Sequence, residues 1–209
     1  MSTSATNTKH PRGLYVLFMT EMWERFGYYL MVGIFLLYMV DPISSGGLGF
    51  SQGKALDIVG TFVALVYLAP FLGGLIADRL IGYRKSILIG GALMSMGYFG
   101  LAVHSETGMY MGCLLIILGN GFFKPNISTL LGNMYNAEAL KTKKDSAYNI
   151  FYMGINIGAF ICNFVAAYMR NNYGWGYAFG TAGVGLIIAL IWFAYGMKHV
   201  KHADVIKPV

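Results

Sequence analysis

Four long stretches of the sequence contain no charged side chain, and they limit the possible folds more than any other feature. Each comprises 18 to 25 residues. They are Ile58–Ala77, Ser86–Val103, Ala147–Met169 and Tyr173–Met197. A helix needs about 20 apolar residues to cross a bilayer core, whereas transmembrane β-strands alternate apolar and polar residues in shorter segments. Because these stretches do not alternate, they predict an all-α protein whose helices span a membrane.

Two further apolar stretches are interrupted by charges. Leu14–Val40 contains three ionisable residues and Tyr110–Tyr135 contains one. Interpreted as helices, they complete a predicted bundle of six transmembrane helices over residues 14–197. We expect residues 1–13 to form a cytoplasmic tail, and residues 198–209 to form a second one or the start of a linker to a missing second half.

Composition agrees with an integral membrane protein and excludes several other classes. Hydrophobic residues make up 56% of the chain and charged residues 11%, against about 25% charged in soluble domains. Cys113 and Cys162 lie in apolar stretches and form no CxxC pair, so no disulfide framework is indicated. No nucleophile–base motif and no metal-ligand spacing is visible in the predicted spans. We therefore expect no enzymatic activity, no metal and no cofactor.

The distribution of basic residues predicts the orientation of the bundle. Only Lys54 and Arg170 fall on one side of the predicted spans. The residues on the other side are Lys9, Arg12, Arg79, Arg84, Lys85, Lys141, Lys143, Lys144, Lys198, Lys201 and Lys207. Basic loops stay in the cytoplasm, so both termini are expected there, in a protein of the cell membrane. This bias also explains the net charge of +6 without nucleic acid as a partner.

Four ionisable residues lie inside predicted spans, where each costs about 2.5–3.5 kcal/mol at the bilayer centre. Glu21, Glu24 and Arg25 share one helix face because they are three and four residues apart. Lys124, in another helix, would neutralise their net charge of −1. The cluster either locks two helices together or belongs to a solute or proton pathway; we favour the pathway, since charges inside membranes are usually functional.

Two glycine- and proline-containing segments predict local backbone features. Pro125 follows Lys124 directly, and proline removes a backbone donor. We therefore expect this helix to kink or break there. The proline either only kinks the helix or also aims Lys124 into a cavity, and we favour the second alternative. Gly154 and Gly158 form a GxxxG pattern typical of close helix packing. Asn156, between them, either bridges helices or faces a cavity.

Four ordered motifs resemble those of the proton-dependent oligopeptide transporters, a family of the major facilitator superfamily. Glu21–Tyr29 resembles the family's ExxERFxYY motif, and Gly73–Lys85 resembles the superfamily's signature loop between helices 2 and 3. Gly119–Asn126 and Phe151–Phe160 resemble two further peptide-transporter signatures. The resemblance covers roughly residues 12–200 and implies the first of the family's two six-helix halves, built from two inverted three-helix repeats.

The resemblance also implies roles for individual residues. Glu21 and Glu24 match the proton-linked carboxylates; Arg25 and Lys124 match the basic pair linked to the peptide carboxylate and to proton coupling. The residues expected to bind substrate are Arg25, Tyr28, Tyr29, Tyr67, Lys124 and Asn156. The residues expected to form a cytoplasmic gating loop, without touching substrate, are Asp78, Arg79, Arg84 and Lys85.

The sequence also departs from the family pattern. Val32 stands where many members have arginine, and Gly60 stands where animal members have histidine. The sequence resembles only the first half of the family's proteins. The second half, which carries the acidic residue expected to bind the amino end of the peptide, has no counterpart in it. The function we expect is proton-coupled symport of di- and tripeptides, with that second half as a partner in the bilayer. The alternatives are transport of another small solute such as nitrate, and a six-helix scaffold or remnant that transports nothing.

Overall fold

The computed structural model describes residues 9–205 and contains only helices and their connections over that range. Its α-helices are α1 (Arg12–Val40), α2 (Gln52–Ile76), α3 (Tyr83–Leu101), α4 (Glu106–Met134), α5 (Glu138–Lys141), α6 (Lys144–Tyr173) and α7 (Trp175–Gly196). All are long except α5, which is a single turn. The fold class expected from the sequence is therefore confirmed in its all-α character.

Four of the described helices are long and apolar enough to cross a membrane. They are α2 with its extension to Ile81, α4, α6, and α7 with its extension to His199. The other two long helices are less apolar, since α1 carries three charges and α3 begins with Arg84 and Lys85 next to Tyr83. Four apolar helices in one bundle make the chain an integral membrane protein.

Ion pairs between helix ends show which ends of the bundle coincide. Asp41, after α1, pairs with Arg170 near the end of α6, with Nη2 and Oδ2 3.4 Å apart. Arg84, at the start of α3, pairs with Asp204, after α7, with Nε and Oδ2 2.7 Å apart. We name these the Asp41 end and the Asp204 end, and successive long helices run between them in alternating directions.

The basic residues of the connections follow the same division. Lys54 lies in the first turn of α2 and belongs, with Arg170, to the Asp41 end. The ten other residues expected in the cytoplasm that fall within residues 9–205 lie at the Asp204 end. Lys207, the eleventh, lies outside the described residues. The bundle therefore separates its basic connections as the positive-inside rule requires of a membrane protein.

Glycines allow α6 to pack closely on α1, which confirms the packing predicted for the GxxxG pattern. A Cβ atom at Gly158 would collide with the carbonyl oxygen of Met22 in α1. A Cβ at Gly154 would lie 2.9 Å from Cδ2 of Phe18, one turn earlier. Only a residue without a side chain fits at these positions, so the two glycines set the distance between the helices.

Of the kink or break predicted at Lys124, the break is wrong, because α4 continues as one helix through Pro125. Proline removes the N–H that would bond to the carbonyl four residues earlier, at Gly121. That carbonyl packs instead against Gly73 of α2, where a Cβ could not fit. Thr129 Oγ1 also donates to the Pro125 carbonyl oxygen at 2.8 Å. Neighbouring helices and side chains thus support the helix through its proline, as they do in many membrane helices.

Two predicted boundaries also need correction. The expected gating loop is hardly a loop: Ala77–Ile81 extends α2 as a π-helical turn, and α3 begins at Tyr83. Gly82 alone makes the change of direction, with a φ of 80° that favours glycine. Tyr173, predicted to begin the last span, ends α6, and Gly174 with a φ of 98° separates it from α7.

Candidate functional site

The centre of the candidate site is a buried group of three charges on α1. Glu21, Glu24 and Arg25 are exposed by only 3%, 0% and 4%. Arg25 donates to both oxygens of Glu24, with Nη2 and Oε1 2.6 Å apart. Its Nε lies 3.3 Å from Glu21 Oε1. Glu21 is therefore held more loosely, and its Oε2 is buried without a hydrogen-bond partner among the described residues.

Lys124 of α4 lies within electrostatic range of this group, interacting with Arg25, Glu24 and Glu21. It is partly buried, and its Nζ sits 5.1 Å from the ring centroid of Tyr67 in α2. Within residues 9–205 it forms no salt bridge. The four charges are formally neutral together, as buried charges require, but one cation is free to take an anionic partner.

The predicted substrate-binding residues lie between this buried centre and the surface. Tyr28 is buried beneath Arg25, whose Cζ is 5.0 Å from its ring centroid. Tyr29 packs edge-on against Tyr28 and is 38% exposed, while Tyr67 is 70% exposed. Asn156 is exposed on α6. The three tyrosines therefore lead from the buried charges to exposed positions on α1 and α2.

Sequence reasoning missed two polar groups near the charges. Tyr98 of α3 interacts electrostatically with Glu24 and Arg25, and its buried hydroxyl has no hydrogen-bond partner in the described part of the chain. Asn120 lies one turn before Lys124, with both its side-chain polar atoms buried and unpartnered there. Buried polar groups usually have partners. Asn120 could have been predicted from the sequence, because its amide stands four residues before an intramembrane lysine. Nothing in the sequence distinguished Tyr98 among the 15 tyrosines.

The predicted gating residues form a second polar group, at the Asp204 end. Asp78 and Arg79 lie in the π-helical turn, and Arg84 and Lys85 in the first turn of α3. Sequence reasoning overlooked Asp204, which organises this region. Its Oδ1 accepts the backbone N–H groups of Tyr83 at 2.7 Å and Arg84 at 3.3 Å, and its Oδ2 accepts from Arg84 Nε. The segment after α7 thus caps the start of α3.

Comparisons with known proteins agree on one family. The family model described as POT family matches residues 84–208. An uncharacterized transporter, YclF, of Bacillus subtilis is 40% identical over 190 residues, which are 90% of this chain. A di-/tripeptide transporter of Lactococcus lactis subsp. lactis is 38% identical over 203 residues, or 96% of this chain. A crystal structure of a mutant peptide transporter POT in complex with alafosfalin superposes with a TM-score of 0.91, at 38% identity over 96% of this chain.

The chain spans only about two fifths of the length of these relatives. It covers 38% of the Bacillus transporter and 40% of the Lactococcus transporter. It likewise covers 42% of the chain in the crystal structure.

Proposed function

Since this chain belongs to the POT family, we propose that it forms the N-terminal six-helix half of a proton-coupled symporter of di- and tripeptides. The buried group of Glu21, Glu24, Arg25 and Lys124 carries the proposal, because one cation in it lacks a partner while two carboxylates share the other. A relative of known name transports the same class of solute. Intramembrane charges without a structural explanation mark transport pathways.

In the proposed mechanism, Arg25 and Lys124 hold the peptide carboxylate, and Glu21 and Glu24 carry the proton. Arg25 contacts Glu21 at a longer distance than Glu24. Protonation of Glu21 therefore weakens only the longer ion pair, and the guanidinium of Arg25 stays bound to Glu24. Neutralising one carboxylate gives the group a net positive charge, which favours an anionic peptide terminus. Release of the proton restores the carboxylate, which competes for the cations and expels the peptide.

We assign the remaining predicted residues to two further roles. Tyr28, Tyr29, Tyr67 and Asn156 line the peptide pocket; the contacts of Tyr28 and Tyr67 with the charges support this role, and Asn156 is exposed on α6. The residues that move when the cytoplasmic gate opens are Asp78, Arg79, Arg84 and Lys85. We assign these four residues no substrate contact. Arg84, in the first turn of α3, already donates hydrogen bonds to Asp204.

A second half is part of the proposal, because Arg25 already pairs with both buried carboxylates, Glu21 and Glu24, so that neither is free for the ammonium group of a peptide. The coverage of the relatives supports it. So does the exposure of α2 and α6, because only 17% and 28% of the residues in their apolar segments are buried, against 56% for α4. Alternating access needs two bundles that move about a central site, and the least-covered helices are available to meet the second one.

The proposed topology places all six long helices across the cell membrane, as two inverted repeats of three. The Asp204 end would face the cytoplasm, since it carries ten of the basic residues. Residues 9–13 then lie in the cytoplasmic tail, and residues 198–205 begin the connection to the second half.

Transport of nitrate or another small anion is the second candidate, and the unpaired Lys124 is the observation in its favour. Uptake into proteoliposomes under an inward proton gradient separates the candidates. Two proteins are compared: this chain alone, and this chain joined to the remaining part of the Lactococcus transporter. We expect saturable, gradient-dependent uptake of labelled dialanine by the joined protein only. Uptake of nitrate that dialanine does not inhibit would favour the second candidate, and dialanine uptake by the chain alone would show that no second half is required.

A further inference from the structure

A cavity of about 490 Å³ lies at the Asp41 end, between α1 and α6. Its lining includes Gly33 and Asp41 from the α1 side, Asn163 and Arg170 from α6, and Trp175 at the start of α7. Cavities of about 300–1,000 Å³ with a few convergent polar groups are typical of small-molecule sites. The function proposed above assigns no role to this one.

Arg170 has the geometry of an anion-binding side chain. Its guanidinium carbon lies 4.7 Å from the ring centroid of Trp175, which fixes the plane of the group. It uses one N–H for Asp41 at 3.4 Å and one for Asn171 at 3.1 Å. A guanidinium has five N–H donors, so three remain without a partner among the described residues. A pre-oriented guanidinium with spare donors matches a carboxylate.

Asp41 makes the cavity selective for a zwitterion. Its Oδ2 accepts from Trp175 Nε1 at 2.8 Å and from Arg170, whereas Oδ1 accepts no hydrogen bond in the described part of the chain. Because Asp41 and Arg170 are formally neutral together, they attract a simple anion weakly. A molecule with both an ammonium and a carboxylate can engage each member of the pair.

Along one face of α6, the cavity lies in line with Asn156, one of the predicted substrate-binding residues. Asn156, Asn163 and Arg170 are seven residues apart in turn, and seven residues make almost two full helical turns. The three side chains therefore lie in a row of about 21 Å. Gly33 allows this row to approach α1, because a Cβ there would lie 3.2 Å from Asn163 Oδ1.

We infer that this cavity is a second, peripheral binding site for zwitterionic peptides, through which they reach the central pocket along α6. Arg170 binds the peptide carboxylate, Asp41 binds the ammonium, and the Asn163 amide contacts the backbone. The peptide as ligand rests on the function proposed above, but the cavity and its chemistry do not.

Trp175 reports directly on the site, because bound carboxylate would alter the guanidinium stacked on it. The chain has two other tryptophans, so the test uses a Trp23→Phe/Trp192→Phe variant in detergent, with the native protein titrated in parallel in case the variant misfolds. Titration with dialanine should give a saturable fluorescence change. The amide of dialanine, which lacks the carboxylate, and acetate, which lacks the ammonium, should bind at least tenfold more weakly.

Variants then locate the signal. Arg170→Gln should weaken dialanine binding at least tenfold, and Arg170→Lys, which keeps the charge but loses the planar fork, should weaken it severalfold. Asn172→Ala, at an exposed neighbour that does not line the cavity, should change it less than twofold. Unchanged binding in Arg170→Gln, or an equal loss of binding in Asn172→Ala, would overturn the inference.

The two proposals fail in different ways. If Arg170-dependent binding is found but proton-driven uptake is absent, the transport function is wrong and the cavity assignment stands. If uptake is found but dialanine binding does not depend on Arg170, the cavity assignment is wrong and the transport function stands.

Discussion

Replacing Gly158 by alanine tests the close contact of α6 with the charged segment of α1. The added Cβ would collide with the carbonyl oxygen of Met22 and lie 3.0 Å from the backbone nitrogen of Phe26. Both are backbone atoms on either side of Glu24 and Arg25, so no side-chain rotation can relieve the contact. Inserting a methyl group into a packed interior costs about 1–3 kcal/mol, partly offset by the better helix propensity of alanine, about 0.5–1 kcal/mol.

We expect a net loss of about 1–2 kcal/mol of unfolding free energy, after this offset to the overpacking cost. For a chain of this size such a loss lowers Tm by about 2–8 °C. The matched control is Gly180→Ala in α7, where a Cβ would have no heavy atom within 4 Å. It removes a glycine from a helix without a collision, so its Tm should rise by about 1–4 °C.

Thermal unfolding in one detergent, followed by circular dichroism at helical wavelengths, measures both variants against the unchanged chain. Proton-driven dialanine uptake by the joined protein should also weaken in Gly158→Ala, since α1 must shift beside the charges, and remain unchanged in Gly180→Ala. A Gly158→Ala protein as stable as Gly180→Ala would refute the close contact between the helices, and with it the position assigned to α1.

Two other predictions concern the ends of the bundle. Asp204→Ala removes three hydrogen bonds from the start of α3 and should lower the unfolding free energy by about 1–3 kcal/mol. The control is Glu138→Ala, which removes a highly exposed ion pair with Lys141 and should change the unfolding free energy by less than about 0.5 kcal/mol in the same melts. Equal effects of the two substitutions would contradict the capping role of Asp204. Cysteines placed at Lys54 and at Lys143 should react with a membrane-impermeant thiol reagent from opposite sides of sealed vesicles, and labelling from the same side would rule out the proposed topology.

Much of the candidate site followed from the sequence because its spacing is local. Glu21 and Arg25 are four residues apart, so helical geometry alone brings them together, and the ion pair at 3.3 Å is present. The close helix packing at Gly158 was equally predictable, because the GxxxG pattern depends only on glycines one helical turn apart. The prediction of Lys124 near these charges rested on electrostatic cost, and the structure places it within their range.

Features set by distant residues could not be predicted in the same way. The free carbonyl of Gly121 in α4 packs against Gly73, in another helix, where a Cβ could not fit. The bond between Asp204 and Arg84 joins residues 120 positions apart, and no local pattern indicates it. Tyr98 likewise reaches the charges only through its long side chain, because α3 packs on α4 and α7; its Cε2 is 3.3 Å from where a Cβ of Gly27 in α1 would lie.

The central claim is that Glu21 and Glu24 couple proton movement to peptide movement. The most direct measurement compares proton-driven uptake of dialanine with its exchange at equal pH, in proteoliposomes containing the joined protein. Glutamine at Glu21 or at Glu24 keeps the shape but cannot take up and release a proton. We predict that each variant loses gradient-driven uptake and retains exchange, while Glu106→Gln, an exposed carboxylate paired with Lys54, retains both. Full gradient-driven uptake in both single variants would contradict the account.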